Sequence, residues 1–397
     1  MHKRLGALLS GLTLMILLTG CWSSREIEDL ALYTGMALDI GQPAPTEKVF
    51  EAQGATYPKQ DKVMTTLQVV PIGSSGDQQN QSKDKMSPFF NVSGSGDSIL
   101  QIFRQFSIRL DRPIIGHHLK VIVISSELLK KQTIEQLTDF VLRDNDIRPS
   151  SVVLISKGKA IDTLAYTPNS EIPSIHLVGM SRNRTRTGKV LKPVTLANLD
   201  ALIHSKRSFV LQRLVTGNKE TEFSGAEIIK GSTGQTIGSL SEEETISLSW
   251  LKNEGGTGVI KVYDDNNAPL VYEIKSMKSK ITPHVEEGHI SFKVKIKTEG
   301  RVIETWSKRD TSTSQDFADS SGQLIQERLA NMMERLIHKM QDTYQVDVGG
   351  FGERLSIKYP AVWRKVKDDW DEVFSGSEVN FTYDLNITDF GSFTETK

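Results

Sequence analysis

A chain of 397 residues that sets 48 Lys and Arg against 49 Asp and Glu has a formal charge of −1. That balance excludes the strong basic field of a nucleic-acid-binding domain. A single cysteine excludes a disulfide within the chain, and the length implies two or three domains.

The first element is a leader. Met1-His2-Lys3-Arg4 precedes an uncharged, mostly apolar run over 5–18, shorter than the roughly 20 residues that cross a bilayer as a helix. A basic start, a short apolar run and small residues after it are the pattern of a secretory signal peptide. The run ends in Leu18-Thr19-Gly20-Cys21, which resembles the bacterial lipobox. The expectation is cleavage before Cys21 and a diacylglyceryl thioether on its thiol. Several acyl chains hold far more firmly than one, since each buried methylene adds about 0.8 kcal/mol. The lone cysteine then serves as an anchor. No later segment is apolar for long enough to span a bilayer.

After the anchor, 32–40, 48–57 and 63–72 read as strands. Residues 73–97 are rich in Gly, Ser, Gln and Asn and read as a long loop. Asp97 is a candidate N-cap for a helix carrying Ile99, Phe103, Phe106 and Leu110. Residues 117–125 read as a strand buried on both faces, 126–144 as one helix, and 150–156 as a second buried strand. Strand, helix and strand make a βαβ unit with parallel strands. Short helices follow at 159–166, 174–180 and 195–203, with the basic loop 182–189 between two of them. That loop reads as a solvated segment, with contact to anionic lipid as its functional alternative. Strands at 208–216 and 225–230 precede a helix opened by the capping box Ser241 to Glu244. The strands of 258–306 alternate apolar residues with lysines, so one face of their sheet is wet. A long helix over 316–345, a second over 351–374 and a strand over 378–388 complete the chain.

Candidate chemistry is sparse. His117 and His118 on one strand would point to opposite faces, and no H-E-x-x-H occurs, so no metal or other cofactor is expected. Ser156-Lys157-Gly158-Lys159 matches S-x-x-K, but it falls at a strand end, and neither S-D-N nor K-T-G follows. No catalytic residues are assigned. Two charged segments are candidate partner contacts. One is the turn 143–149, with Arg143, Asp144 and Arg148. The other is the helix over 351–374, with Lys365, Lys367 and Asp371. In that second segment basic residues precede acidic ones, which opposes the dipole of a single helix.

Four stretches carry a resemblance to one family. They are GCWSSREIEDLALYTGMALDI, HLKVIVISSELL with FVLRDNDIRPSSVVLISKGKA, GAEIIKGSTGQTIGSLSEEETISLSWL, and GFGERLSIKYPAVWRKVKDDWDEVF. They are similar to the Ger(x)C spore-germination lipoproteins, the C subunits of GerA-type nutrient germinant receptors. Ser23-Ser24 departs from the pattern, where an Asp before Arg25 is expected. The resemblance implies a three-domain α+β protein on the outer face of the spore's inner membrane. It implies partners in the receptor's A and B membrane subunits, and no catalysis.

The expected fold is therefore α+β and multi-domain. It has a signal peptide over 1–20, an N-terminal domain with the βαβ unit over 21–200, and a middle domain over 201–255. Residues 256–397 would form an antiparallel sheet packed by long helices. The expected function is that of a non-enzymatic receptor lipoprotein required for nutrient-triggered germination. A solute-binding lipoprotein of an importer is the alternative, and it would need two similar α/β lobes around a cleft. A cell-wall hydrolase would need a catalytic constellation that the sequence does not offer.

Overall fold

A computed structural model describes residues 29–71, 87–167, 171–307 and 315–389. The expected leader over 1–20 and Cys21 lie outside the described residues. The chain is α+β, built on two sheets.

The first sheet has nine strands. Its centre is β1 (Ala31–Ile40), β5 (Val121–Ser125) and β6 (Val152–Ser156). These three pair in parallel, and β5 and β6 are buried at every position. Their side chains divide between two layers with the period of two that a strand imposes. Ile122, Ile124, Val153 and Ile155 face one core, with Ile102, Leu137 and Leu199 from three helices. Val121, Val123, Val152 and Leu154 face another, with Leu164 and Leu177. Two antiparallel strands, β2 (Val63–Val70) and β3 (Phe90–Gly96), extend one side. The short β4 (Ile114–Ile115) pairs with the start of β1. On the other side β7 (Phe209–Gly217) joins β6 in parallel, and β8 (Glu220–Ile229) and β9 (Thr236–Leu240) follow antiparallel.

The second sheet runs β10 (Gly258–Tyr263), β11 (Pro269–Glu286), β12 (His289–Thr305) and β13 (Glu378–Asp389). Its apolar face packs on the helix Gln315–His338 through Ile325, Leu329, Met333 and Leu336. Ala226, Ile228 and Leu240 of the first sheet belong to this same core. The segment 201–255 therefore gives its strands to the first sheet and its capped helix, Glu242–Leu251, to the second core. The capping box itself is formed. Glu244 N–H donates to Ser241 Oγ at 3.2 Å, and Ser241 N–H donates to Glu244 Oε2 at 2.7 Å.

Several elements differ from the sequence expectation. Residues 48–57 do not form a strand; α1 (Pro45–Ala52) stands there, started by Pro45 and by Glu47 accepting from Ala44 N–H. The loop expected to reach residue 97 ends early, because β3 occupies Phe90–Gly96. Its glycines look like loop chemistry, but a Cβ at Gly94 would lie 2.9 Å from the Phe106 ring. Gly94 lets α2 (Ile99–Phe106) lie directly on the strand, and Ser98, not Asp97, caps that helix.

The helix of 126–144 is two, α3 (Ser126–Leu129) and α4 (Ile134–Arg143), because Thr133 and Gln136 form a second capping box. His117 and His118 sit in a turn before β5, not on the strand. The helix of 316–345 loosens into a π turn at Lys339–Thr343. The second sheet is mixed rather than antiparallel. The helical crossover after β12 returns the chain in the same direction, so β13 pairs with β12 in parallel. The last expected helix is three: Phe351–Lys358, Pro360–Val366 and Trp370–Ser375.

Candidate functional site

The turn 143–149 and the C-terminal helices contain every partner-contact residue expected from the sequence apart from the anchor. The structure places the two groups on different elements and treats them differently.

Arg143 ends α4 and Asp144 caps it. Both line an open cleft of about 660 Å³ with Ile99, Leu100 and Phe140. Arg143 is spent on its own helix, donating from Nε to Asp139 Oδ1 at 2.8 Å. Asp144 Oδ1 accepts from Asp146 N–H at 2.9 Å, closing the turn. The turn is fixed from below by Ile147, buried in the same core as Tyr33 and Leu119. Burial of Ile147 and the Asp144–Asp146 hydrogen bond together hold this loop. Arg148 is exposed, and no carboxylate among the described residues lies within ion-pair reach of it.

The turn also meets the His117-His118 turn, a neighbour that sequence spacing could not show. His117 Nε2 lies 3.6 Å from Asp146 Oδ1. Burial lowers the pKa of His118, and the charges of Arg148 and Lys120 and the His117 ring act in the same direction.

In the C-terminal group the decisive residue is one that the sequence reading passed over. Asp347 is 7% exposed. Its Oδ1 accepts from the N–H groups of Gly349, Gly350 and Phe351 at 3.0, 2.8 and 3.2 Å. Its Oδ2 accepts from Gly352 N–H at 2.7 Å and from Trp370 Nε1–H at 2.8 Å. One carboxylate thus caps the helix Phe351–Lys358 and clamps it to the helix Trp370–Ser375. Gly352 is required by that clamp: a Cβ there would lie 2.5 Å from Trp370 Nε1.

Asp347 N–H in turn donates to Asp371 Oδ1 at 3.1 Å, and Ser208 Oγ donates to Asp371 Oδ2 at 2.8 Å. Ser208 Oγ accepts from Gly231 N–H at 3.1 Å. This relay ties the C-terminal helices to the segments flanking β7 and β8. Burial pushes the Asp371 carboxyl above its usual range; the Asp347 N–H and Ser208 hydroxyl pull it down, and the Asp347 charge adds to the rise. Asp371 is therefore half-buried and engaged inside the protein, whereas Lys365 and Lys367 are exposed.

The charge order also changes meaning. Arg364 and Lys365 fall in the last turn of one helix, and Asp371 and Glu372 in the first turn of the next. Each set favours the dipole of its own helix. Lys365→Glu is thus expected to lower stability by about 0.3–1 kcal/mol, measured as a small fall in melting temperature. Trp363 and Trp370 meet across the helix break, edge to face at 5.3 Å, and Arg207 lies 5.2 Å over the Trp363 ring.

The other candidates are structural. Ser156 Oγ donates to Lys159 O at 3.2 Å. The basic loop is held internally: Arg184 donates to Glu254 O at 3.4 Å, and Lys189 pairs with Glu242 at 2.7 Å. Among the described residues no three His, Cys, Asp or Glu side chains converge as metal ligands, and no helix is long and apolar enough to cross a membrane.

Comparison with known proteins accounts for the whole described chain. Residues 23–216 match the model of the spore germination protein N-terminal domain, and residues 224–391 match that of the spore germination B3/GerAC-like C-terminal region. Spore germination protein YndF of Bacillus subtilis (strain 168) is 37% identical over 99% of this chain and 98% of its own. The chain belongs to the Ger(x)C family of spore germination proteins. Spore germination protein B3 of the same organism is 29% identical over 96% of both chains. The crystal structure of the GerBC protein, 22% identical, superposes with a TM-score of 0.60 over 90% of this chain and 97% of that one, so the Ger(x)C fold is common to both. Both segments expected to contact partners, the 143–149 turn and the 350–374 helices, lie inside the matched regions.

Proposed function

We propose that this protein is the C subunit of a nutrient germinant receptor: a non-enzymatic lipoprotein held by Cys21 on the outer face of the spore's inner membrane, beside the A and B membrane subunits. The observation that carries this reading is the extent of the relationship. It covers both sheets and the junction between them, not one module. The structure adds a reason. A core shared by the two sheets and the Ser208–Asp371–Asp347 relay favour a single body that presents surfaces to partners. An importer's binding protein would instead need two similar lobes that close on a solute.

The test is made in spores whose only C subunit is this chain. Cys21→Ala is expected to lose fatty-acid label and nutrient germination together, while its melting temperature stays that of the parent. Equal label in the two overturns the anchor, and normal nutrient germination of spores lacking the chain overturns the receptor role.

Within this reading Arg148 is a docking residue, with Arg143 and Asp144 shaping the turn that presents it and Lys365 and Lys367 as secondary contacts. Arg148→Ala is expected to change stability by no more than about 0.5 kcal/mol, as for an unpaired surface side chain. It should nevertheless prevent co-purification with the membrane subunits. A large fall in melting temperature would assign Arg148 to the fold instead.

A further inference from the structure

The solvent face of the second sheet carries a charge arrangement that the fold does not need. Along β11 and β12 the outward positions include Lys275, Lys278, Lys280, Lys293, Lys295 and Lys297, all exposed, and the carboxylates of the same face, Glu299, Glu304 and the Arg301-paired Glu273, follow beyond them. The register sets Lys278 directly opposite Lys297 and Lys280 directly opposite Lys295. Like charges opposed across a ladder destabilise it, and threonine or glutamine would keep the face equally wet. The carboxylate supplied by the neighbouring strand is Asp384, 3.7 Å from Lys295 and 3.8 Å from Lys297. No carboxylate among the described residues lies within ion-pair distance of Lys278, Lys280 or Lys293. The chain as a whole is nearly neutral, at −1, so this face is a local concentration of positive charge.

We propose that this lysine face docks on an anionic bilayer surface. The side chains choose between that occupant and an acidic protein. A protein interface centres on packed aromatic or arginine anchors, and the rows Thr282–Lys293–Asn380, Lys280–Lys295–Thr382 and Lys278–Lys297–Asp384 contain neither. Lysine is a mobile point charge without the fixed fork of arginine, suited to a field of headgroups rather than to one carboxylate. The exposed aromatics lie instead at the far end of the same face. Tyr263 is 49% exposed and Trp306 72%. Tyr263 pairs with Pro269, and Trp306 donates from Nε1 to Glu304, which lies opposite the outward Val271. Aromatic rings with a polar edge are the residues that seat at headgroup level. In the basic loop at 182–189, Arg184 and Lys189 are tied to Glu254 and Glu242, which leaves two exposed cations, Arg182 and Arg186, against six on the sheet face.

The test uses the intact chain reconstituted on vesicles of phosphatidylcholine alone, or of one part phosphatidylglycerol to two of phosphatidylcholine, and reads lysine acetylation by mass spectrometry. Lys278, Lys280, Lys293, Lys295 and Lys297 are expected to be protected on the anionic vesicles only, while Lys131 and Lys219, exposed in turns between α3 and α4 and between β7 and β8, react equally on both. The protection should fade as salt rises.

A lysine near an anionic leaflet is worth about fivefold in partition. The triple variant Lys280→Gln, Lys295→Gln, Lys297→Gln should therefore lose the preference for anionic vesicles by about a hundredfold, while melting at or above the parent temperature. Neutralising Lys131, Lys206 and Lys219 should leave it unchanged. Equal acetylation on both vesicles overturns the proposal, as does an equal loss from the control triple. Protection seen in spore membranes but not on anionic vesicles overturns it in favour of a protein partner. None of these readouts depends on whether Cys21 is acylated.

Discussion

Asp347→Ala is expected to destabilise the protein by about 3–5 kcal/mol, the largest effect of any single substitution at the C-terminal helices. The carboxylate accepts five hydrogen bonds, four from backbone N–H groups and one from the Trp370 indole. Alanine leaves those donors without an acceptor in a largely buried site, and each unsatisfied buried donor costs about 1–3 kcal/mol, less for the half-buried Gly350 N–H and with overlap between neighbours. At roughly 2–4 °C per kcal/mol for a domain of this size, the melting temperature should fall by about 10 °C. Asp347→Asn is the sharper probe. It keeps one acceptor but turns an N–H₂ toward the donors of Gly352 and Trp370, so it should be nearly as damaging although its size is unchanged. Asp371→Asn should do little. Its amide can still accept from Asp347 N–H, the Ser208 hydroxyl can turn to accept from it, and the substitution removes a charge that burial and Asp347 already disfavour. A melting temperature for Asp347→Asn within a degree or two of the parent would show that the cradle is not what holds the two helices together.

This contrast explains what could and could not be read from the sequence. The βαβ unit was legible because β5 and β6 are uninterrupted apolar runs, and burial on both faces leaves few other options. The wet face of the second sheet was legible from the alternation around Phe292, Val294 and Ile296. Periodicity alone failed wherever a polar group broke an element. Residues 351–374 keep an apolar spacing that fits one helix, yet Tyr359 and Asp369 stand at breaks and Asp347 fixes the first turn from outside the run. The only local signal was the Asp-Val-Gly-Gly-Phe-Gly sequence at 347–352: an acceptor followed by residues that can bring their N–H groups to it. α1 was lost for a similar reason. Val49 and Phe50 look like strand residues, while Pro45 and Glu47 carried the helix start. The meeting of the 144–148 turn with His117 and His118 depends on tertiary structure, and no spacing encodes it. Cys21 and its lipobox lie outside the described residues, so the anchor still rests on sequence alone.

Lys59→Met is expected to have the second large effect, because it breaks an ion-pair node beside β3 in which Lys59 and Glu47 are largely buried and Glu51 and Asp61 are partly exposed. The Lys59 side chain is 9% exposed and lies 3.1 Å from Glu47, 3.1 Å from Glu51 and 3.7 Å from Asp61. Glu47 also accepts from Ser95 N–H and Ala44 N–H, so it joins α1 to β3. Burial alone would raise the Glu47 pKa. The N–H groups of Ser95 and Ala44, with Lys59, outweigh it and hold the carboxyl below its usual value. A carboxyl with a lowered pKa in the folded state adds stability above its unfolded pKa. That contribution is lost as pH falls through the folded value. Without Lys59 the buried carboxylate keeps its desolvation cost and loses its cation, at a cost of about 3 kcal/mol near neutral pH. The Glu47 pKa should then move up, and the acid limb of the stability curve should begin at a higher pH than in the parent. Glu47→Gln added to Lys59→Met should recover part of the loss, because it removes the stranded charge while keeping an acceptor for Ser95 N–H. Thermal melts of the three proteins across the acid range decide the matter. A single variant whose acid limb coincides with the parent's would mean that the backbone donors, not Lys59, keep Glu47 ionised.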